Sequence, residues 1–245
     1  VYMPGNKITM LPKSVVEQFS LDEGKYCPTL SFYLDFNEET LAIIQTESRI
    51  ESVLIKANLR HDHLSDWVTP ELLTQAPAFD LIIPEALKNV ELKDLQFLFR
   101  LAQKLKLDRE QVRGKPEIQT RPDFDFKLQK PSADQPLGDE VVQITQRKRG
   151  EPLDLIVAEA MILTNHHWGR LLADKGVPGI YRSQAALAPG VKVRMSTKPL
   201  IHAGIGVDCY AWSSSPLRRY VDMVNQWQLI ACIKQGSTAA LVAPF

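Results

Sequence analysis

Thr29 to Phe36, TLSFYLDF, constrains the fold more than any other stretch, because apolar and polar residues alternate there with the period that only a strand can satisfy. Asn37-Glu38-Glu39 has turn chemistry, and the run from Thr40 to about Lys56 alternates again through Ile50, Ser52, Leu54 and Lys56. An antiparallel hairpin follows. Two other stretches carry a helical period. In Glu91–Leu107 the apolar stripe is Leu92, Leu95, Leu98, Phe99, Ala102 and Leu105, with Asp94, Arg100 and Lys104 opposite. In Leu153–Lys175 it is Leu155, Ala158, Met161, Ile162, Asn165, Trp168 and Leu172, and Gly176 and Pro178 stop the helix. Glu159 and Asn165 lie in apolar surroundings and need polar partners.

Shorter elements fill the rest. Residues 1–12 read as an extended segment, and Ser14 caps a helix to Phe19 with Glu17 in the capping-box place. A helix-and-loop connection punctuated by Pro70, Pro77 and Pro84 spans residues 70–89. Strands are expected at Arg121–Leu128 with Glu140–Gln146, and at Gly179–Ser183 and Val191–Ser196, the last two joined by SQAALAPG. The final helix is expected over Pro216–Lys234. Leu217, Tyr220, Val221, Val224 and Trp227 would face inward, with Arg218, Asp222 and Asn225 on a second face.

The serine- and arginine-rich stretch Ser213–Asn225 is where chemistry concentrates. Serine hydroxyls, guanidiniums and free N–H groups at a helix start suit a phosphate. The same residues also read as an ordinary N-cap (Ser215), a first helical proline (Pro216) and an i, i+4 pair between Arg218 and Asp222. Charge is zero overall but uneven. From Val141 onward there are 12 Lys and Arg against 6 Asp and Glu, which leaves 17 against 23 of the 29 of each sign before it. A basic half fits a polyanionic partner.

Other chemistries find less support. His61 and His63 are spaced i, i+2, and neither His166-His167 nor His202 stands at a metal-ligand spacing from them. Asp123 and Asp125 share a strand face, which suits a wet surface as well as Mg²⁺. Cys27, Cys209 and Cys232 are odd in number and far apart, as reduced core thiols in a cytoplasmic protein would be. No apolar run is long enough for a membrane span. The 245 residues open on Val-Tyr-Met-Pro and close on Leu-Val-Ala-Pro-Phe, ends that suggest a piece of a longer polypeptide.

Several segments together carry a family resemblance. Ser-Ser-Pro-Leu-Arg-Arg-Tyr-Val-Asp at 214–222 resembles the Thr-Ser-Pro-Ile-Arg-Arg-Tyr-x-Asp signature of the ribonuclease II (RNB) family. Tyr2 to Pro12 resembles its aromatic-Leu-Pro and Met-Leu-Pro segment, and Ser20-Leu21 its Ser-Leu pair. Glu159 to Asn165 resembles its Glu-x-Met-x-x-x-Asn helix, and Gly179 to Arg182 the strand before its insertion. The resemblance implies an α/β fold of the α+β type, with a mixed, largely antiparallel sheet flanked by helices around a channel. The whole of residues 1–245 would be part of an RNB catalytic domain, without its N-terminal part or the flanking RNA-binding modules.

The implied activity is 3′→5′ hydrolysis of single-stranded RNA to 5′-mononucleotides with Mg²⁺. Arg218 would stabilise charge on the scissile phosphate, and Tyr2, Ser214, Ser215, Arg219 and Arg182 would bind RNA. No metal ligand is expected within the chain, since the family's aspartate cluster lies upstream of the Tyr2 segment, and these residues alone are expected to be inactive. Departures include Ala158, where many members have glutamate, His61, where some have tyrosine, and Ile118, where an aromatic can stack on a base. The alternative is a catalytically dead RNB-like module that binds RNA or protein.

Overall fold

The computed structural model describes residues 2–3, 6–59, 64, 67–74, 87, 90–117, 122–129, 140–147 and 150–235, with side chains from residue 8 onward except that of Arg147. The expected hairpin is β3 (Tyr26–Phe36) with β4 (Ile43–Leu54), antiparallel, with register Tyr26↔Leu54 through Phe36↔Ile43. It follows two short strands, β1 (Tyr2–Met3) and β2 (Asn6–Lys7), and helix α1 (Lys13–Phe19). Asn37 makes the turn, its Oδ1 accepting from the N–H groups of Glu39 at 3.1 Å and Thr40 at 2.8 Å. The capping box at Ser14 does not form. Pro12 holds the N-cap place and its carbonyl accepts from Val15 and Val16, so Ser14 already lies inside the first turn and Glu17 pairs with Lys13.

After α2 (Pro70–Thr74) come α3 (Leu92–Arg113), the ladder of β5 (Asp123–Gln129) with β6 (Val141–Arg147), and α4 (Pro152–Asp174). Strands β7 (Tyr181–Ser183) and β8 (Arg194–Ser196) and helix α5 (Tyr220–Gln235) complete the order. The class is α/β as expected, and the four ladders among the described residues are antiparallel and two-stranded. His61, His63, Ile118, Arg121 and the loop 131–139 lie outside the described residues.

Helix α4 joins two apolar clusters. Its N-terminal Leu153 packs with Leu95 and Phe99 of α3 and with Leu64, Val68, Leu73 and Leu87. Its C-terminal Trp168 and Leu172 pack with Val177, Tyr181, Cys209, Ala211, Leu229 and Cys232, against which Leu30 and Phe32 of the hairpin lean. Trp168 also donates its indole N–H to Ser48 Oγ at 3.0 Å. Gly169 permits the close approach of α4 to the 209–211 segment, since an added Cβ would lie 3.1 Å from Ala211 N and 3.2 Å from Cys209 Sγ. Gly176 ends the helix with φ +66.

Helix α5 departs from expectation twice. It begins at Tyr220, four positions after Pro216, behind a separate turn in which Ser215 O accepts from both Arg218 N and Arg219 N. Its buried face is Asp222, Asn225, Gln228, Leu229 and Cys232, while Tyr220 is 60% and Trp227 42% exposed. The polar side faces inward because it bonds backbone that belongs to no ladder. In α4, likewise, Glu159 is buried and Ala158 is exposed, because Glu159 takes the guanidinium of Arg109 through both oxygens, with Arg109 Nε to Glu159 Oε2 at 2.9 Å. Burial alone would lower the pKa of Arg109, but its bonds to Glu159 and the charges of Glu159 and Glu117 raise it.

Leu172, with no exposed surface, is the test of this core. Leu172→Ala should cost about 2–5 kcal/mol in denaturant unfolding, while Val112→Ala on the solvent face of α3 should stay within about 0.5 kcal/mol.

Candidate functional site

The segment 209–218 is mostly non-helical and outside the ladders, so its backbone groups depend on side chains for partners. Asn165 of α4 accepts from Ser213 N at 2.8 Å and donates through Nδ2 to Tyr210 OH and Ser214 Oγ, both at 3.2 Å. Its own carbonyl accepts from Ala211 N at 3.2 Å. Asn225 of α5 works from the other side. Its Oδ1 accepts from Ile180 N at 2.8 Å, and its Nδ2 donates to Ile180 O at 2.9 Å and Trp212 O at 2.8 Å. Gln226 Nε2 reaches Ser213 O at 2.6 Å. Asp222 Oδ1 accepts from Ser215 N at 2.8 Å and Arg219 Nη2 at 2.7 Å. Both asparagines and Asp222 are fully buried.

What this scaffold presents is Ser214, Ser215 and Arg218. They line a cleft of about 1200 Å³ whose other walls include Ile8 to Leu11, Phe19 and Trp227. Arg218 is exposed, and its Nη2 donates to Ser215 Oγ at 3.3 Å. The only other charged side chain in the described lining is Asp22, which pairs with Lys25 at 2.8 Å. A guanidinium beside two hydroxyls on a rigid turn can hold a phosphate or another oxyanion.

The expected catalytic Arg218 and the expected RNA-binding residues therefore divide between two places. Ser214, Ser215 and Arg218 share the cleft with the segment that follows Tyr2. The side chain of Tyr2 lies outside the described residues, and its backbone pairs with Lys7 in β1–β2. Arg182 and Arg219 meet elsewhere, their guanidinium carbons 4.3 and 4.5 Å from the ring centre of Trp212. Trp212 escaped the reading of the sequence. Its place two residues after Tyr210, immediately before the serine-rich stretch, was the available signal.

Neither a metal centre nor a nucleophilic thiol emerges among the described residues. No group of three or more His, Cys, Asp or Glu side chains among them is placed to hold a metal ion. Asp123 and Asp125 share a face of β5 opposite Arg147 and Thr145. His166 Nδ1 bonds Cys209 O at 2.9 Å, and His167 packs against Phe32. All three cysteines are buried, and burial pushes the Cys209 thiol up to about 11. No helix among the described residues is long and apolar enough to cross a membrane.

Helices and antiparallel ladders, with a cleft that carries Arg218 walled by residues of α1, β3, α4 and α5, make this an α/β protein. The family follows from comparison with known proteins. The RNB domain family model matches residues 1–191 and 191–235, and the chain belongs to that family. Exoribonuclease 2 of Aeromonas hydrophila is 25% identical over 97% of this chain and 40% of its own length. Exoribonuclease 2 of Escherichia coli O1:K1 is 26% identical over 97% and 42%. The chain thus spans about two-fifths of the length of these curated relatives. Among solved structures, an active-site mutant of the Dss1 exoribonuclease of Candida glabrata superposes with TM-score 0.74 at 22% identity, over 96% of this chain and 34% of that one. RNase R of Mycoplasma genitalium gives 0.72 at 14%, over 99% and 44%. Yeast Ssd1, a pseudonuclease, gives 0.61 at 15%, over 96% and 33%.

His202 supplies a pH test of the site's surroundings. It is buried edge-on to Tyr210 with centroids 5.8 Å apart, and burial and then the Arg182 charge lower its pKa from 6.5 to about 4. The unfolded chain binds the proton first, so this residue's contribution is complete above about pH 6.5. It is lost as pH falls toward about 4, to the extent of on the order of 3 kcal/mol. Unfolding measured from pH 7 to 4 should show this decline, and His202→Gln should flatten it.

Proposed function

We propose that this chain is part of a 3′→5′ exoribonuclease that hydrolyses single-stranded RNA to 5′-mononucleotides in the cytoplasm. The observation that carries the reading is Arg218, an exposed guanidinium on a turn held by four polar side chains from α4 and α5, facing a cleft of about 1200 Å³. Arg218 binds the scissile phosphate and stabilises the charge that builds on its oxygens. Ser214 and Ser215 donate hydroxyls to the same phosphate or its neighbour, Tyr2 binds RNA as well, and Arg182 does so beyond the cleft, beside Trp212. Exoribonuclease 2 relatives, and RNase R structures solved with single-stranded and double-stranded RNA, support this substrate class.

Mg²⁺ belongs to this reading, yet the described residues do not fit it: they bring no three potential ligands together. No step is therefore assigned to a metal on this chain. A second reading, an RNB-like module that binds RNA or protein without cleaving, is supported by the likeness to a pseudonuclease.

One variant separates the two. In the full-length protein with Mg²⁺, Arg218→Ala should lower mononucleotide release by about 10²–10³, or about 2.7–4 kcal/mol, while oligonucleotide affinity changes little. Unchanged release would remove Arg218 from the mechanism. Salt-dependent binding with no release by the unsubstituted protein would establish the second reading instead.

A further inference from the structure

Adjacent arginines of identical type stand in opposite environments in this turn. Arg218 is exposed in the cleft, with Ser215 Oγ as its hydrogen-bond acceptor. Arg219 turns away, lies 4.5 Å from the ring centre of Trp212 and donates at 2.7 Å to Asp222 Oδ1. Asp222 has no exposed surface, so its charge is neutralised within the protein.

That carboxylate has a second duty, since the oxygen that takes Arg219 also accepts the Ser215 N–H at 2.8 Å. Asp222 Oδ2 and Arg219 Nε are both buried without a hydrogen-bond partner, so Nη2 to Oδ1 is the one hydrogen bond that joins carboxylate and cation. Trp212 is itself fixed from behind, its carbonyl held by Asn225. Loss of the Arg219 charge would strand a buried carboxylate next to the backbone it positions, three residues before Arg218.

We propose that Arg219 and Asp222 form a positioning pair. Arg219 neutralises and orients Asp222, Asp222 holds the Ser215 N–H, and the Ser215–Arg218 turn thereby aims Arg218 into the cleft. Arg219 makes no contact with RNA. The proposal rests on the exoribonuclease reading for its rate effect, and on the pair's geometry alone for its stability effect.

The test is a cycle of Arg219→Gln, Asp222→Asn and the double variant in the full-length protein, with three readouts. These are the turnover of a single-stranded oligoribonucleotide, the slope of log affinity against log salt, and Tm. Arg219→Gln should lose about 10²-fold in turnover through misplacement of Arg218, with affinity and salt slope unchanged. In the double variant the amide that replaces the Asp222 carboxylate keeps an acceptor for Ser215 N–H and the stranded charge is gone, so most of the lost rate and Tm should return. A salt slope that falls by about 0.7 in Arg219→Gln would mean a lost phosphate contact and would overturn the proposal. So would a double variant as slow or as unstable as Arg219→Gln. If Arg219→Gln does not fold, a folded double variant is the expected coupling, and an unfolded one overturns it. If the unsubstituted protein neither binds nor cleaves RNA, the exoribonuclease reading fails, and the Tm cycle still decides the pair.

Discussion

The amides of Asn165 and Asn225 hold together what the apolar clusters leave loose. Segment 209–215 runs between α4 and β7 with few ladder bonds of its own, Arg182 N to Tyr210 O at 2.8 Å being one. Ala211 N, Trp212 O and both backbone groups of Ser213 end on Asn165, Asn225 and Gln226. Each such bond adds only about 1 kcal/mol net, but a buried group left without one costs about 1–3 kcal/mol. The network is therefore an all-or-nothing constraint. It fixes the backbone from which Ser214, Ser215 and Arg218 project, and it ties α4 to α5 through the 211–213 backbone.

Hydrophobic period was a good guide wherever apolar surface settles the packing. The β3–β4 hairpin and helices α3 and α4 lie where alternation and stripes put them, although α3 runs on past Leu107 to Arg113 and Leu98 of its stripe is exposed, and Trp168 and Leu172 are buried as the α4 stripe requires. It misled in α5, where it turned Tyr220 and Trp227 inward. The helix buries Asp222 and Asn225 because their hydrogen bonds to neighbouring backbone outweigh the burial of two aromatics, one of which, Trp227, lines the cleft. The start of that helix was misplaced for a related reason. Ser215 and Pro216 are common at helix starts, but here they form a preceding turn that Asp222 supports from within the helix.

Site residues were legible by type and not by partner. Serine and arginine chemistry at 213–219 pointed to an oxyanion, and Ser214, Ser215 and Arg218 line one cleft. Nothing in two adjacent arginines distinguishes the one that faces the cleft from the one that neutralises a buried carboxylate. That difference exists only because Asp222 points inward, which the apolar stripe had assigned the other way. Likewise, Arg182 and Arg219 are far apart in the chain and meet only because β7 and the 209–215 segment are bonded side by side at Arg182 and Tyr210.

The cleft's composition bears on what kind of recognition it can support. Its described lining is largely apolar, with Phe19 and Trp227 exposed in it, and Arg218 is the only positive charge of that lining. Apolar walls reduce screening, so one guanidinium there attracts a phosphate more strongly than it would on an open surface. The same walls offer few donors or acceptors to base edges, which is where sequence is read. Aromatic faces accept any base by stacking. On the exoribonuclease reading, a strand would then be gripped by its phosphate and its ring faces alike at every step. An enzyme that removes one nucleotide after another from arbitrary RNA needs that indifference to sequence.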